Sequence, residues 1–376
     1  MRVTRVQLRD FRRFHETALE PGPGLNLLLG SNGAGKTSVL EALHLMAYGR
    51  SFRGRVRDGL VRDGADALEV FVQWEQADGV GVTGLRRAGL RHAGDSWTGR
   101  LDGQDVAQLG ELCAALAVVT FEPGSHALIS GAADNRRRFM DWGLFHVEQE
   151  FLGPWRRYAR ALRQRNALLK SGGGNAQLDA WDHELSEAGE ALTAHREAYL
   201  AQLEPQVLDT ARQLSDSLQL QGLEFQPGWR RSELSLADAL LLGRERDRAL
   251  GYTGVGPHRA DWRLGFVGLP GRDALSRGQT KLAAMAMLMA QARDFARRRG
   301  HWPVMALDDL PSELDRGHQQ RVLAFLAGQP GVQILVTATE TPPAVESIQG
   351  LAMSVFHVEQ GSIAPLDGVP GPGGGA

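Results

Sequence analysis

The sequence predicts an α/β protein: a core of buried strands and helices, hairpin-rich β-structure beside it, and a helical insertion. Three observations carry that prediction. Leu25-Asn26-Leu27-Leu28-Leu29 is a short apolar run that enters a glycine-rich loop, after which Val39, Leu40, Leu43, Met46 and Ala47 recur at helical spacing. A second buried-strand pattern, Pro303 to Leu307, ends in two carboxylates, Asp308 and Asp309. Between them, residues from about 135 to 250 are rich in Ala, Leu, Glu, Gln and Arg and poor in β-branched types, a helix-forming composition.

Taken in chain order, Val3, Val6 and Leu8 give the loose apolar rhythm of a first strand, and Leu25–Leu29 gives a buried one. Gly49 stands where the following helix needs a left-handed C-cap. From about 68 to 120, alternating runs such as Leu68–Val72 and Ala117–Phe121 are separated by turn clusters, Asp102-Gly103 among them, so strands and hairpins are expected. The helical block is broken once, at Gly172-Gly173-Gly174, and its apolar spacing does not hold an a/d heptad pattern, which disfavours a long coiled coil. Past Leu250 the pattern returns to α/β: buried strands at 303–307 and 332–336 flank an amphipathic helix near 315–328. The expected organisation is one lobe from residues 1–130 and 251–365, a helical arm over 131–250, and a flexible Gly/Pro tail over 366–376.

Composition narrows the possibilities. With 376 residues the chain exceeds one compact core, and 43% apolar with 23% charged residues describes an ordinary globular protein. A single cysteine, Cys113, excludes an internal disulfide and reads as core packing. There is no basic start followed by an apolar secretory run, and the most apolar stretch, Leu282–Ala292, is half the length of a membrane span, so a cytoplasmic protein without a membrane partner is expected. The net charge of −2 excludes a uniformly basic nucleic-acid coat but not a local patch. No Cys/His spacing points to zinc.

The chemistry lies in three places. Gly30-Ser31-Asn32-Gly33-Ala34-Gly35-Lys36-Thr37 satisfies G-x-x-x-x-G-K-[ST], in which small residues let backbone N–H groups wrap phosphates at the positive end of a helix. In a chain of this composition the pattern arises by chance roughly 0.004 times. Lys36 is expected to reach the β- and γ-phosphates and the Thr37 hydroxyl to ligate Mg²⁺. Guanine-specific proteins of this class read the base with an Asn-Lys pair, whereas Gly35, Leu169 and Thr280 precede the three lysines, so ATP is favoured over GTP. Asp308, at the end of its strand, is expected to hold the magnesium, and Asp309 to orient or deprotonate the attacking water. Third, Ser276 is placed to cap a nearly all-apolar helix that begins Arg277-Gly278-Gln279-Thr280-Lys281, which makes its first turn an anion site.

Leu275-Ser276-Arg277-Gly278-Gln279 upstream of a hydrophobic strand ending in acids resembles the signature of ABC-type ATPases. By that resemblance Asp308-Asp309 is the Walker B pair and Ser312-Glu313-Leu314-Asp315 the D-loop. The resemblance also implies that Ser276 and Gly278 of one copy bind the γ-phosphate held by the P-loop of another, so ATP would join two heads into a homodimer. Lys36 and Ser276 are 240 positions apart, an insertion that fits the chromosome-maintenance branch of these heads. Within that branch Arg50-Ser51-Phe52-Arg53, Val119–Pro123, Arg136–Asp141, Gly256–Asp261 and the block from Trp142 to Leu169 resemble the RecF family through nearly the whole chain. What this implies is an ABC-type ATPase head, a P-loop α/β core with an antiparallel β-subdomain, carrying a helical arm. It further implies a weak DNA-stimulated ATPase that binds gapped or junction DNA and helps RecO and RecR load RecA in fork recovery and the SOS response. Two departures stand out: Asp309 where ABC ATPases usually carry Glu, which would slow hydrolysis, and hydroxyls in Val336-Thr337-Ala338-Thr339 where a histidine switch is usual.

DNA contacts are expected from nine basic residues between 136 and 170 (Arg136, Arg137, Arg138, Arg156, Arg157, Arg160, Arg163, Arg165, Lys170), set against three acids. A second cluster, Arg50, Arg53, Arg55, Arg57 and Arg62 against Asp58, follows the P-loop helix. The alternative is that the first set pairs with the acidic 182–197 segment. A small-molecule kinase with the insertion as lid, or a transporter-coupled ATPase, are the competing functional classes.

Overall fold

A computed structural model describes residues 1–54, 59–77, 83–348 and 350–366. In chain order the described residues form β1 (Arg2–Phe11), β2 (Phe14–Leu19), β3 (Gly24–Leu29), α1 (Lys36–Tyr48), β4 (Ala67–Ala77), β5 (Thr83–Ala93), β6 (Ser96–Leu101) and β7 (Gln104–Asp105). There follow α2 (Leu109–Ala115), β8 (Val118–Phe121), α3 (Ala127–Ser130), α4 (Ala133–Val147), α5 (Leu152–Ser171), α6 (Asn175–Leu214), β9 (Leu220–Gln226), α7 (Leu236–Leu250) and β10 (Asp261–Phe266). The chain closes with α8 (Arg277–Arg299), β11 (Val304–Leu307), α9 (Leu310–Glu313), α10 (Arg316–Ala327), β12 (Gln333–Ala338), β13 (Met353–Glu359) and β14 (Ser362–Pro365). Two compact units result: Met1–Ser125 with Arg212–Asp216 and Met285 onwards, and His126–Ala211 with Ser217–Ala284.

The first unit holds two six-stranded sheets. One is antiparallel in the order β2-β1-β4-β5-β6-β7; the other, β14-β13-β3-β12-β11-β8, is parallel except at its β13–β14 edge. Every residue of β3, β8, β11 and β12 is buried, which explains why these strands read as continuous apolar runs without alternation. By contrast β4 alternates, sending Leu68, Val70, Val72 and Trp74 inward. Helix α1 packs against β4, β8 and β12, so 11 of its 13 residues are buried and its apolar positions do not form a single stripe. It ends at Gly49, in the left-handed region at φ 67°, as its position in the sequence requires.

The second unit is largely helical. Gly172 ends α5 with φ 71°, and the rest of the glycine run leads into the 40-residue α6. The helical reading of 135–250 fails at one place: Leu220–Gln226 is a strand, β9, paired antiparallel to β10. Its partner lies some forty residues further on, and the surrounding composition favours helix, so no local signal marks it. The unit is fastened internally by buried ion pairs. Arg165, fully buried, donates to Asp182 at 2.5 Å, Asp247 at 2.6 Å and Thr253 at 2.9 Å, which ties α5, α6 and the end of α7 together. Of the expected tail, residues 367–376 lie outside the described residues.

Candidate functional site

The parallel sheet sets the site. Strand β12 lies between β3 and β11, and the register aligns Leu29 with Ala338, Leu307 with Val336, and Leu307 with Phe121. The loops leaving the C-terminal ends of these strands therefore converge, which is where open α/β sheets bind ligands. The glycine loop leaves β3, Asp308 and Asp309 leave β11, and Thr337 stands at the end of β12.

Backbone conformation explains the glycines. Gly33 (φ 80°) and Gly35 (φ 116°) occupy the left-handed side, and a Cβ on Gly35 would come within 2.9 Å of the Phe14 ring. Lys36 is 9% exposed, and its Nζ donates to the carbonyls of Gly30 (2.7 Å) and Ser31 (2.9 Å), so the ammonium is folded back over the loop. Burial lowers its pKa, opposed by the charges of Asp309 and Asp308. Arg13 Nη1 braces the loop from outside by donating to the Gly33 carbonyl at 2.9 Å.

Three chain segments meet at Asp308, which is 3% exposed. Thr37 Oγ1 donates to Asp308 Oδ1 at 2.9 Å, and Thr337 Oγ1 donates to the same oxygen at 2.7 Å. Thr337 Oγ1 in turn accepts the Asp309 backbone N–H at 2.8 Å. Desolvation raises the Asp308 pKa despite these two hydroxyls. Asp309 holds the left-handed conformation, φ 49° and ψ 43°, a strained position for a residue with a side chain and common at functional sites. The cleft above them measures about 820 Å³ and is lined by the glycine loop, Thr37, Asp308, Asp309 and Thr337, and by Arg12, Arg13, Phe52 and Arg53. The Thr37 hydroxyl and the Asp308 carboxylate form an oxygen pair of the kind magnesium prefers.

Ser276 and Gly278 lie in the second unit and are exposed. Ser276 caps α8 through a reciprocal pair: its hydroxyl accepts the Gln279 N–H at 3.3 Å, and the Gln279 side chain accepts the Ser276 N–H at 2.9 Å. The sequence reading anticipated the cap but not the part played by Gln279.

The RecF/RecN/SMC N-terminal domain model matches residues 2–364. The DNA replication and repair protein RecF of Stenotrophomonas maltophilia (strain R551-3) is 64% identical over 366 residues, 97% of this chain and 100% of its own length. The chain belongs to the RecF family. The RecF of Shewanella baltica (strain OS155 / ATCC BAA-1091) is 36% identical over 98% of this chain and 100% of its own. Among solved structures, the recombination mediator protein RecF-ATPrS in the RecFOR pathway superposes with a TM-score of 0.84 at 24% identity, covering 97% of this chain and 98% of that one. The Smc head bound to the C-winged helix domain of ScpA gives 0.57 at 14%, covering 97% and 98%. These likenesses place the fold among ABC-type ATPase heads, as the sequence predicts.

The RecF-like arginine cluster between 136 and 170 is not one basic face. Arg136 is buried and bound to Asp261 (2.5 Å), Arg165 is buried in the network above, and Arg157 pairs with Glu184 and Glu187, each at 2.8 Å. Arg156, Arg160, Arg163 and Lys170 are exposed. Of the second cluster, Arg53 lies 3.8 Å from Glu41 and Arg62 binds Asp10 at 2.7 Å, while Arg55, Arg57 and Asp58 lie outside the described residues. His258, from the Gly256–Asp261 motif, is held between the Tyr158 hydroxyl (2.6 Å) and the Thr253 carbonyl (2.9 Å). Thr337, Arg12 and Arg13 line the cleft, and the sequence reading gave them no part. Only the strand-terminal hydroxyl of Thr337 carried any local signal.

Proposed function

We propose that this chain is an ATP-driven DNA-binding switch of recombinational repair and replication-fork recovery. ATP occupies the cleft with its phosphates on Gly30–Thr37, and Lys36 contacts the β- and γ-phosphates. Magnesium, held by Thr37 and Asp308, would screen the charge on those phosphates. Asp309 orients the attacking water, and its short side chain makes hydrolysis slow. Ser276 and Gly278 act in trans, the capped N-terminus of α8 from one copy meeting the γ-phosphate of the other, so ATP closes a homodimer. Residues 1–130 with 251–365 serve as the head and 131–250 as the arm. The dimer grips gapped or junction DNA and, with RecO and RecR, promotes RecA loading in the cytoplasm and thereby the SOS response.

The observation that best supports this reading is the convergence of Thr37, Asp308 and Thr337 on one carboxylate oxygen, which joins the glycine loop, the acidic strand end and the intervening strand around one cleft. The test combines solution mass and ATPase rate with and without gapped DNA. Lys36→Ala should impair nucleotide-dependent pairing, Ser276→Arg should spare ATP binding yet prevent pairing, and Asp309→Asn should trap an ATP-bound dimer. Normal pairing by Ser276→Arg would overturn the trans-site mechanism, and turnover by a monomer indifferent to DNA would favour a kinase.

A further inference from the structure

We infer that Glu41 is a positioning residue for this cleft, acting through Arg12 and the Ser51–Arg53 segment; the inference rests on the proposed nucleotide-binding reading. Glu41 lies on α1, one turn beyond Thr37, and its side chain is fully buried. An isolated carboxylate would not tolerate that burial, so its partners define its role. Arg12 forks onto it, Nε to Oε2 at 2.9 Å and Nη2 to Oε1 at 2.6 Å. The Ser51 hydroxyl donates to Oε1 and at the same time accepts the Arg53 backbone N–H at 2.9 Å. The Arg53 guanidinium stands 3.8 Å from Oε2.

These partners come from two separate stretches, the turn after β1 and the segment after α1, and both reach the cleft. Arg12, Phe52 and Arg53 line it, whereas Glu41 does not. One buried carboxylate thus fixes two cations and an aromatic ring around the space assigned to a polyanion, and it is rooted in the helix that carries Lys36 and Thr37. The Arg53 side chain is half exposed and would otherwise sample many rotamers, losing the preorganisation on which anion binding depends. The Arg50-Ser51-Phe52-Arg53 motif thereby gains a physical role, in which Ser51 anchors the segment to Glu41 while Phe52 and Arg53 face inward.

The experiment measures the Kd of labelled ATP, the KM and kcat of ATP hydrolysis, and the melting temperature for wild type, Glu41→Gln, Arg53→Gln and the double variant. Glu41→Gln keeps the shape but removes the charge, so Kd and KM should rise about tenfold while kcat stays within about twofold. The double variant should be weaker than Arg53→Gln by clearly less than that factor, because the two residues act together. Ser51→Ala should move Kd in the same direction by about threefold, and it decides the matter if Glu41→Gln does not fold. A folded Glu41→Gln, or failing that Ser51→Ala, with a lower melting temperature but an unchanged Kd would reduce Glu41 to a structural ion-pair partner and overturn the inference. Full multiplication of the Glu41 and Arg53 effects would overturn it as well. If wild type itself fails to bind ATP, the nucleotide reading falls first and takes this inference with it, a result visible in the wild-type curve alone.

Discussion

Thr337 shows how one hydroxyl can organise a site. Buried at the end of β12, it donates to Asp308 and accepts from the Asp309 backbone, and so holds both carboxylate-bearing residues at once. Thr337→Val keeps the volume but leaves the Asp309 N–H without its acceptor, at a cost of about 1–3 kcal/mol. The expected outcome is a lower melting temperature together with slower ATP hydrolysis, both largely restored in Thr337→Ser. A Thr337→Val protein with wild-type turnover would show that the hydroxyl serves stability alone. The sequence placed this residue at a strand end, but nothing local could show that β12 runs between the glycine-loop strand and the acidic strand. That adjacency is what brings the hydroxyl to Asp308.

At the scale of elements, the glycines separate what was legible from what was not. Gly49 and Gly172 end helices in the left-handed region, and the sequence marks both. Gly189 carries no such mark, because it sits within α6 and acts through packing. A Cβ there would approach Leu236 Cδ2 at 2.4 Å and the Tyr158 ring at 3.1 Å, so alanine would require the buried Leu236 methyl to move within the core and the ring to yield by a few tenths of an ångström. Gly189→Ala should therefore destabilise by about 1–3 kcal/mol despite its better helix propensity. The midpoint of denaturant unfolding tests this, and an unchanged or raised midpoint would mean the helices can part at no cost. Strand β9 escaped detection for a related reason. Its identity depends on pairing with β10, and its own pattern shows none of the inward–outward alternation that betrays β4.

Over the whole molecule, protonation links distant parts to one stability. Burial pushes the pKa of His44 down to about 3 and those of His258 and His301 down to about 4. In the unfolded chain each ring titrates near the ordinary value of 6.5, so the unfolded state takes up protons first as pH falls. Stability is then fully present above about pH 6.5 and is lost on descending towards pH 4, the more deeply buried His44 and His258 each steepening the fall by up to about 1.4 kcal/mol per pH unit and the more open His301 by less. Chemical denaturation at pH 7.5, 6 and 5 should show this decline, and His258→Gln should flatten it. A midpoint that is level across this range would contradict neutral burial of these rings. Charge at this scale also revises the DNA reading. Arg136 and Arg165 are spent inside the second unit, and Arg137, Arg138 and Arg157 carry ion pairs with Asp134, Glu184 and Glu187, so the exposed part of the set, Arg138, Arg156, Arg160, Arg163 and Lys170 among it, is smaller than the count of basic residues suggests.

By itself the sequence determined the glycine loop, the acid pair, the capped helix and the buried strands around them. Each is written in consecutive residues whose backbone conformation or periodicity has a local cause. The tertiary structure alone decided that Thr337 lines the cleft, that Glu41 binds Arg12 and Ser51, that β9 is a strand, and which arginines are neutralised. Those properties are relations between groups separated by ten to several hundred positions, and a buried hydrogen bond or ion pair depends on the partner that folding supplies.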